Sequence, residues 1–284
     1  MPAKELRKKL SNGVRFMFEG VRTVITENWT NRKRMLRLAS YELKGQNSGT
    51  VFGFLWNFFN PALQIAVFWF VFAIGLNTQP PQGNYPYIIW MIVGIIPWFF
   101  INTAMTSSAT SIYAYSAILK RMYLPLSIVP VKTIISAFIG HLWSMLVVFS
   151  IIIFSGNPVN SMVYQLPYYM IALIVFLVGY GLFASAINVV FKDYQKLFSA
   201  VVRLLFYITP VVWVQDRLPE DLKLVLKLNP LAYIIDGYRN CILYGVSLNV
   251  HWRQGLWFWA CALFLFIYGS AVHMKFRKKF MDLL

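Results

Sequence analysis

Three primary amides, Asn57, Asn60 and Gln64, fall at i, i+3 and i+7 of an otherwise apolar run, and Phe68 continues the same line. That spacing aligns them on one helix face. A primary amide against lipid tails is expensive, so the face needs a protein neighbour or a polar cavity. A second stripe, Thr103, Thr106, Ser107 and Thr110, lies along the next apolar run, and small hydroxyl side chains of this kind serve helix packing in lipid. Arg203 sits about two turns inside a later run, where its guanidinium either snorkels to the interface or points into a polar path. His141 stands alone among apolar residues. A single histidine there is read as hydrogen-bonded packing ahead of a proton relay.

Enzymatic and nucleotide chemistry is sparse. No GxxxxGK[ST] loop is present, so ATP phosphates are not cradled in that way. None of the ten acidic residues lies well inside an apolar run, and Glu42 and Asp193 are isolated rather than paired. A glycosyl or phosphoglycosyl transferase acting on a lipid carrier needs acids placed for metal or general-base work. A proton-coupled carrier commonly uses intramembrane carboxylates. Both readings are disfavoured, and no catalytic residue, metal ligand or cofactor is expected in this chain. Cys241 and Cys261 have neither metal-ligand spacing nor a disulfide framework and read as small apolar fillers.

The elements that must position these residues are membrane spans. The chain is 58% hydrophobic and only 13% charged over 284 residues, with mean hydropathy +0.58, too little charge for a soluble surface. Apolar stretches approach the ~20 residues that cross about 30 Å of hydrocarbon. Spans are expected over residues 52–76, 87–112, 127–154, 166–191, 197–214 and 252–274. Before them, residues 29–44 read as an amphipathic interface helix: Trp29, Met35, Leu36, Ala39 and Leu43 share one arc, Lys33, Arg34, Arg37 and Lys44 another. Between the last two spans, residues 215–251 carry two short apolar stripes, Leu222, Val225 and Leu226, then Leu231, Ile234, Ile235, Tyr238 and Ile242 behind Pro230. Each is too short to span, which predicts a re-entrant or interfacial hairpin.

The formal charge of +16 is concentrated beside the spans. Lysines and arginines crowd the first 44 residues, Lys120–Arg121, the KDYQK turn and the segment after Met274. Placed this way, they mark the cytoplasmic side and put both termini there; they also attract anionic lipid. No nucleic-acid recognition motif accompanies them, and no cleaved leader is expected in the first fifty residues. The fold expected is an all-α integral membrane protein. It has six transmembrane helices, an N-terminal amphipathic interface helix and an outer re-entrant helical hairpin between spans 5 and 6. Its parts are a cytoplasmic segment at 1–50, a transmembrane domain at 51–274 and a basic cytoplasmic tail at 275–284.

Three segments carry a family resemblance: LASYELKGQNSGTVFGFLWNFFNPALQIAVFWFVF, FKDYQKLFSAVVRLLFYITPVVW and LNPLAYIIDGYRNCILYG. They resemble the interface helix with first span, the fifth span and the outer hairpin of ABC-2 permeases of polysaccharide and polyol phosphate exporters. FWFVFAIGL, IVGIIPWFFIN, YLPLSIVP and HMKFRKKF look most like the wall-teichoic-acid branch, with O-antigen and capsule exporters sharing the architecture. Lys192–Asp193 stands where many relatives carry Arg-Asp, and the charge is kept.

The resemblance implies a permease in a bacterial cytoplasmic membrane, made of two copies of this chain with two ATP-binding-cassette ATPases that hold ATP and Mg. The implied cargo is an undecaprenyl-pyrophosphate-linked polymer. Spans 1 and 5 would line its conduit, with Asn57, Gln64, Phe68, Arg203, Phe206 and Tyr207 in or near the path. Arg37 and Lys44 would meet the anionic headgroup on entry, together with Arg203. Ala117, Lys120, Arg121, Met122 and Tyr123 would form the coupling helix seated on the ATPase.

Overall fold

A computed structural model describes residues 3–45, 49–77, 85–116, 124–157, 159–191, 193–215 and 219–283. Among them every regular element is helical. Ten α-helices follow in order: α1 Ala3–Thr30, α2 Arg32–Gly45, α3 Trp56–Trp69, α4 Tyr87–Ala114, α5 Ile128–Phe154, α6 Leu166–Val190, α7 Tyr194–Ile208, α8 Glu220–Leu228, α9 Pro230–Arg239 and α10 Trp252–Leu283.

Among the described residues five stretches are long and apolar enough to cross a membrane: Trp56–Gly75, Tyr87–Ala114, Ile128–Phe154, Ser161–Val190 and Leu248–Arg277. The first is α3 extended by a wider π turn over Phe70–Gly75, and it ends where Asn77 takes a left-handed backbone, φ 47°. The span expected at 197–214 differs. Its helix, α7, has 15 residues and stops at Ile208, about 22 Å at 1.5 Å per residue and short of the ~30 Å hydrocarbon layer. The reason is local: Pro210 has no N–H to donate and restricts the residue before it, and Thr209 is already extended at ψ 135°.

The N-terminal segment is also more structured than its pattern suggested. A helix of 28 residues, α1, precedes α2, and the two are separated by a turn at Asn31. Trp29 therefore belongs to α1 and does not share a continuous helix with Leu36. On α2 only Ala39 is buried, Met35 and Leu43 are half-buried, and Leu36 is exposed. Glycine brings α1 against α10: a Cβ on Gly20 would lie 3.4 Å from the Ser270 carbonyl oxygen.

The core is built on α4, flanked by α5 and α6, with α10 against the far side of α6. Backbones approach very closely at α6 and α10. A Cβ on Gly179 would collide with the Leu265–Phe266 backbone, and one on Gly269 with the Gly179 carbonyl. Without a side chain at either position, the two helices gain close van der Waals packing, which drives helix association where lipid is the solvent. In contrast α3 buries no residue at all, and α7 buries only Val202 and Phe206.

The stretch after α7 forms two successive short helices, α8 and α9, of nine and ten residues. Pro230 occupies the first turn of α9, where a missing N–H is harmless. The Asn229 side chain caps it by accepting from the Leu231 amide at 3.0 Å. Leu231, Ile234, Ile235, Tyr238 and Ile242 are all buried, and so is Leu226. The second apolar stripe thus packs into the core, while the side chains of Leu222 and Val225 lie outside the described set. The basic segment after Met274 continues as helix to Leu283.

Candidate functional site

The candidate residues fall in three places: the surface shared by α3 and α7, the basic end of the bundle, and the end of α7 where α9 meets it. On the first, α3 and α7 touch through aromatic rings. Phe68 and Phe206 have centroids 5.2 Å apart, and Trp98 of α4 sits 5.5 Å from Phe206. This wedge holds α7 against the core, while its other face is left open: Arg203 and Tyr207 are exposed, as are Asn60 and Gln64 on α3. The residues expected along a conduit therefore divide. Phe68 and Phe206 meet, Gln64, Arg203 and Tyr207 lie on the open surface, and half-buried Asn57 turns elsewhere. It lines a cavity of about 170 Å³ together with Pro61, Thr103, Ser136, His141 and Ser144.

His141 is a packing residue. Its Nε2 lies 3.0 Å from the Tyr238 hydroxyl and its ring stacks on Phe100 at 5.1 Å, which ties α5 to α9. Of the threonine and serine stripe, Thr106 and Thr110 return their hydroxyls to carbonyls one turn back, the local bond these side chains make within helices.

At the basic end, three helices converge on Glu27. Arg277 of α10 donates to its Oε1 at 2.6 Å and the Ser127 hydroxyl to its Oε2 at 2.6 Å. A second node lies on α5. Lys132, one turn into that helix, has a fully buried side chain whose Nζ is 2.7 Å from Glu42 Oε2 on α2, and the amine stands 3.4 Å above the centroid of the Tyr115 ring. Burial, then the Glu42 carboxylate, pushes the Tyr115 phenol above its usual range, so the ring stays neutral beneath the cation. This node was not among the residues singled out from sequence, although a lysine inside an apolar run is itself a signal. Arg37 and Lys44, on the same helix as Glu42, are exposed. Ala117, Lys120, Arg121, Met122 and Tyr123 lie outside the described residues, in the segment that joins Tyr115 to α5.

The third place is organised by Arg239, which is 3% exposed. Its Nη1 donates to the Pro210 carbonyl at 2.7 Å, its Nη2 to the Val211 carbonyl, and its Nε to the Trp90 carbonyl at 3.4 Å. The guanidinium lies 3.6 Å above the Trp90 ring. Carbonyls freed where α7 breaks at Pro210 are therefore answered by one planar, five-donor side chain. The Asn229 amide adds a bond to the Thr209 hydroxyl at 2.9 Å. Room for the guanidinium exists because residue 94 is glycine: a Cβ there would overlap it. Beside it opens a cavity of about 450 Å³ whose walls include Trp213, Tyr233, Asp236, Asn240 and Gln254.

Apolar helices of spanning length in a bundle closed by glycine contacts define a multi-pass membrane protein. Residues 35–243 match the model of the ABC-2 type transporter family, and the chain belongs to that family. It is similar to the O-antigen export system permease protein RfbA of Klebsiella pneumoniae, 27% identical over 87% of this chain and 93% of that protein. The protein of the same name from Myxococcus xanthus is 25% identical over 76% of this chain and 82% of its own length. The polysialic acid transport protein KpsM of Escherichia coli is 22% identical over 69% and 78%. The chain is accordingly a transporter membrane component and not an enzyme.

Proposed function

We propose that this chain is the permease of an ATP-driven exporter of lipid-linked polysaccharide, working as two copies with two separate ATPase subunits in a bacterial cytoplasmic membrane. The observation that carries the reading is the open face of α3 and α7. Asn60 and Gln64 face away from the rest of the chain, and a primary amide left in hydrocarbon without a partner costs on the order of several kcal/mol. A second copy opposing this face would enclose the amides, Arg203 and Tyr207 in a polar path between the two. The short α7 fits a conduit wall better than a lipid-facing span, because its non-helical end is tolerable only where protein or water meets it. In this reading α7 is the fifth of six crossing segments, both termini are cytoplasmic, and α8–α9 form an outer re-entrant hairpin.

Energy enters from the partner. ATP binding and hydrolysis there would displace the segment at 117–123 and open the path between the copies. Arg37, Lys44 and Arg203 would be first contacts for a pyrophosphate headgroup, through charge-assisted hydrogen bonds.

Within the class, the cargo we propose is wall teichoic acid, on the likeness of the FWFVFAIGL, IVGIIPWFFIN, YLPLSIVP and HMKFRKKF stretches. The names of the relatives favour O-antigen or polysialic acid as the second reading. Proteoliposomes holding the chain and its ATPase decide both levels. ATP-dependent movement of an undecaprenyl-pyrophosphate-linked polymer is expected, faster for a polyol phosphate polymer than for a neutral O-antigen. Absence of any such movement removes the exporter reading, and preference for the neutral polymer removes the teichoic acid assignment alone.

A further inference from the structure

The Lys132 node joins three parts of the chain: the end of α4, the start of α5 and α2. Tyr115 closes α4 and leads directly into 117–123; Lys132 lies at the start of α5 on the other side of that segment; Glu42 sits on α2 beside Arg37 and Lys44. An ordinary packing role would not need a charge here. A buried ion pair is often no more stabilising than apolar side chains of similar size, and an ionisable side chain within a span is rare and marks function by default.

The surroundings also make the pair reversible. The Glu42 side chain is 20% exposed, so it is not sealed inside the bundle. Lys132 lies one turn from the start of its helix, within snorkelling reach of the surface. Separation therefore strands neither charge, which gives the junction two arrangements that a moving neighbour can bias.

We propose that Lys132 is a positioning residue that latches α2 to the exit of α4 and the entry of α5, so that displacement of the 117–123 segment carries α2, with Arg37 and Lys44, along with it. The function of the latch rests on the exporter reading. Its mechanical part does not, and the two are tested separately.

Spin labels at exposed Ser40 on α2 and exposed Phe264 on α10, in the complex with its ATPase, report the mechanical part. Their separation should change on adding ATP in the parent. The change should vanish in K132M and in E42Q and return in the charge-swapped K132E/E42K. Because K132M removes a buried charge and can impair folding, E42Q and Y115L, each altering one partner while leaving Lys132 in place, are measured alongside it. The second readout is polymer moved per ATP hydrolysed, with a synthetic undecaprenyl-pyrophosphate oligosaccharide as probe. Each single variant should lower it about tenfold, in line with coupling free energies of 1–3 kcal/mol, and K132M/E42Q should be no worse than either alone. Parent-like label response in the singles, no response to ATP in the parent, or a swap as defective as the singles overturns the latch. A parent whose labels respond while no probe moves overturns the exporter reading and leaves the latch standing.

Discussion

Replacing Arg239 with leucine should loosen the junction between α9 and the broken end of α7. The guanidinium donates to the Pro210 and Val211 carbonyls and covers the Trp90 ring at 3.6 Å. Leucine orphans both carbonyls, at about 1–3 kcal/mol each, and removes a desolvated cation–π contact of roughly 2 kcal/mol. Eliminating a buried charge and its desolvation offsets part of that sum. A net loss of about 3 kcal/mol is expected, which lowers Tm by roughly 6–12 °C in a chain of this size. Arg239→Lys keeps the charge but has no planar fork, so it should fall between parent and leucine. Gly94→Ala leaves Arg239 in place yet thrusts a methyl group into the guanidinium, and should resemble Arg239→Lys. Thermal unfolding of detergent-purified protein, followed by tryptophan fluorescence, measures all three. If leucine and Gly94→Ala both melt within about 2 °C of the parent, the carbonyls at the end of α7 are not held by Arg239 and the reasoning is wrong.

Three further outcomes are expected. Gly237→Ala drives a Cβ into the Tyr169 ring and should cost about 1–3 kcal/mol as overpacking, read as a lower melting temperature. Gln64→Cys should form an oxidant-induced crosslink between two copies if the open face of α3 meets its counterpart. A control cysteine at exposed Phe264 on α10 should not, and equal crosslinking at both would reject that face as the contact. Lys120→Glu with Arg121→Glu should leave membrane insertion intact while separating ATP hydrolysis from transport; unchanged polymer export per ATP removes these two residues from coupling.

The membrane class, five of the expected spans to within about five residues, the start of α9 at Asn229–Pro230 and the packing of His141 were legible in the sequence. Each depends on composition, local periodicity or a turn residue whose effect is confined to its own neighbours. The end of α7 illustrates the limit of such reasoning. Hydropathy carries the expected span through Val214, whereas Pro210 ends the helix, and the resulting free carbonyls are met by Arg239, 29 residues further on. Likewise, counting acids inside apolar runs discounts Glu42, because its position outside the spans says nothing of the lysine it meets 90 residues away. Periodicity also leaves α1 unread, since its buried side is defined by α10 at the opposite end of the chain.

Sequence alone determined that this chain must lie in a membrane and that its first span carries amides lipid cannot satisfy, because apolar run length and side-chain chemistry require no knowledge of neighbours. Only the tertiary structure decided that Lys132 is paired, that Arg239 secures a broken helix, and that Asn57 turns into the bundle while Gln64 stays on its surface. Those outcomes depend on which backbones approach and what side chains they present, and polar groups in an apolar medium are governed by such long-range meetings.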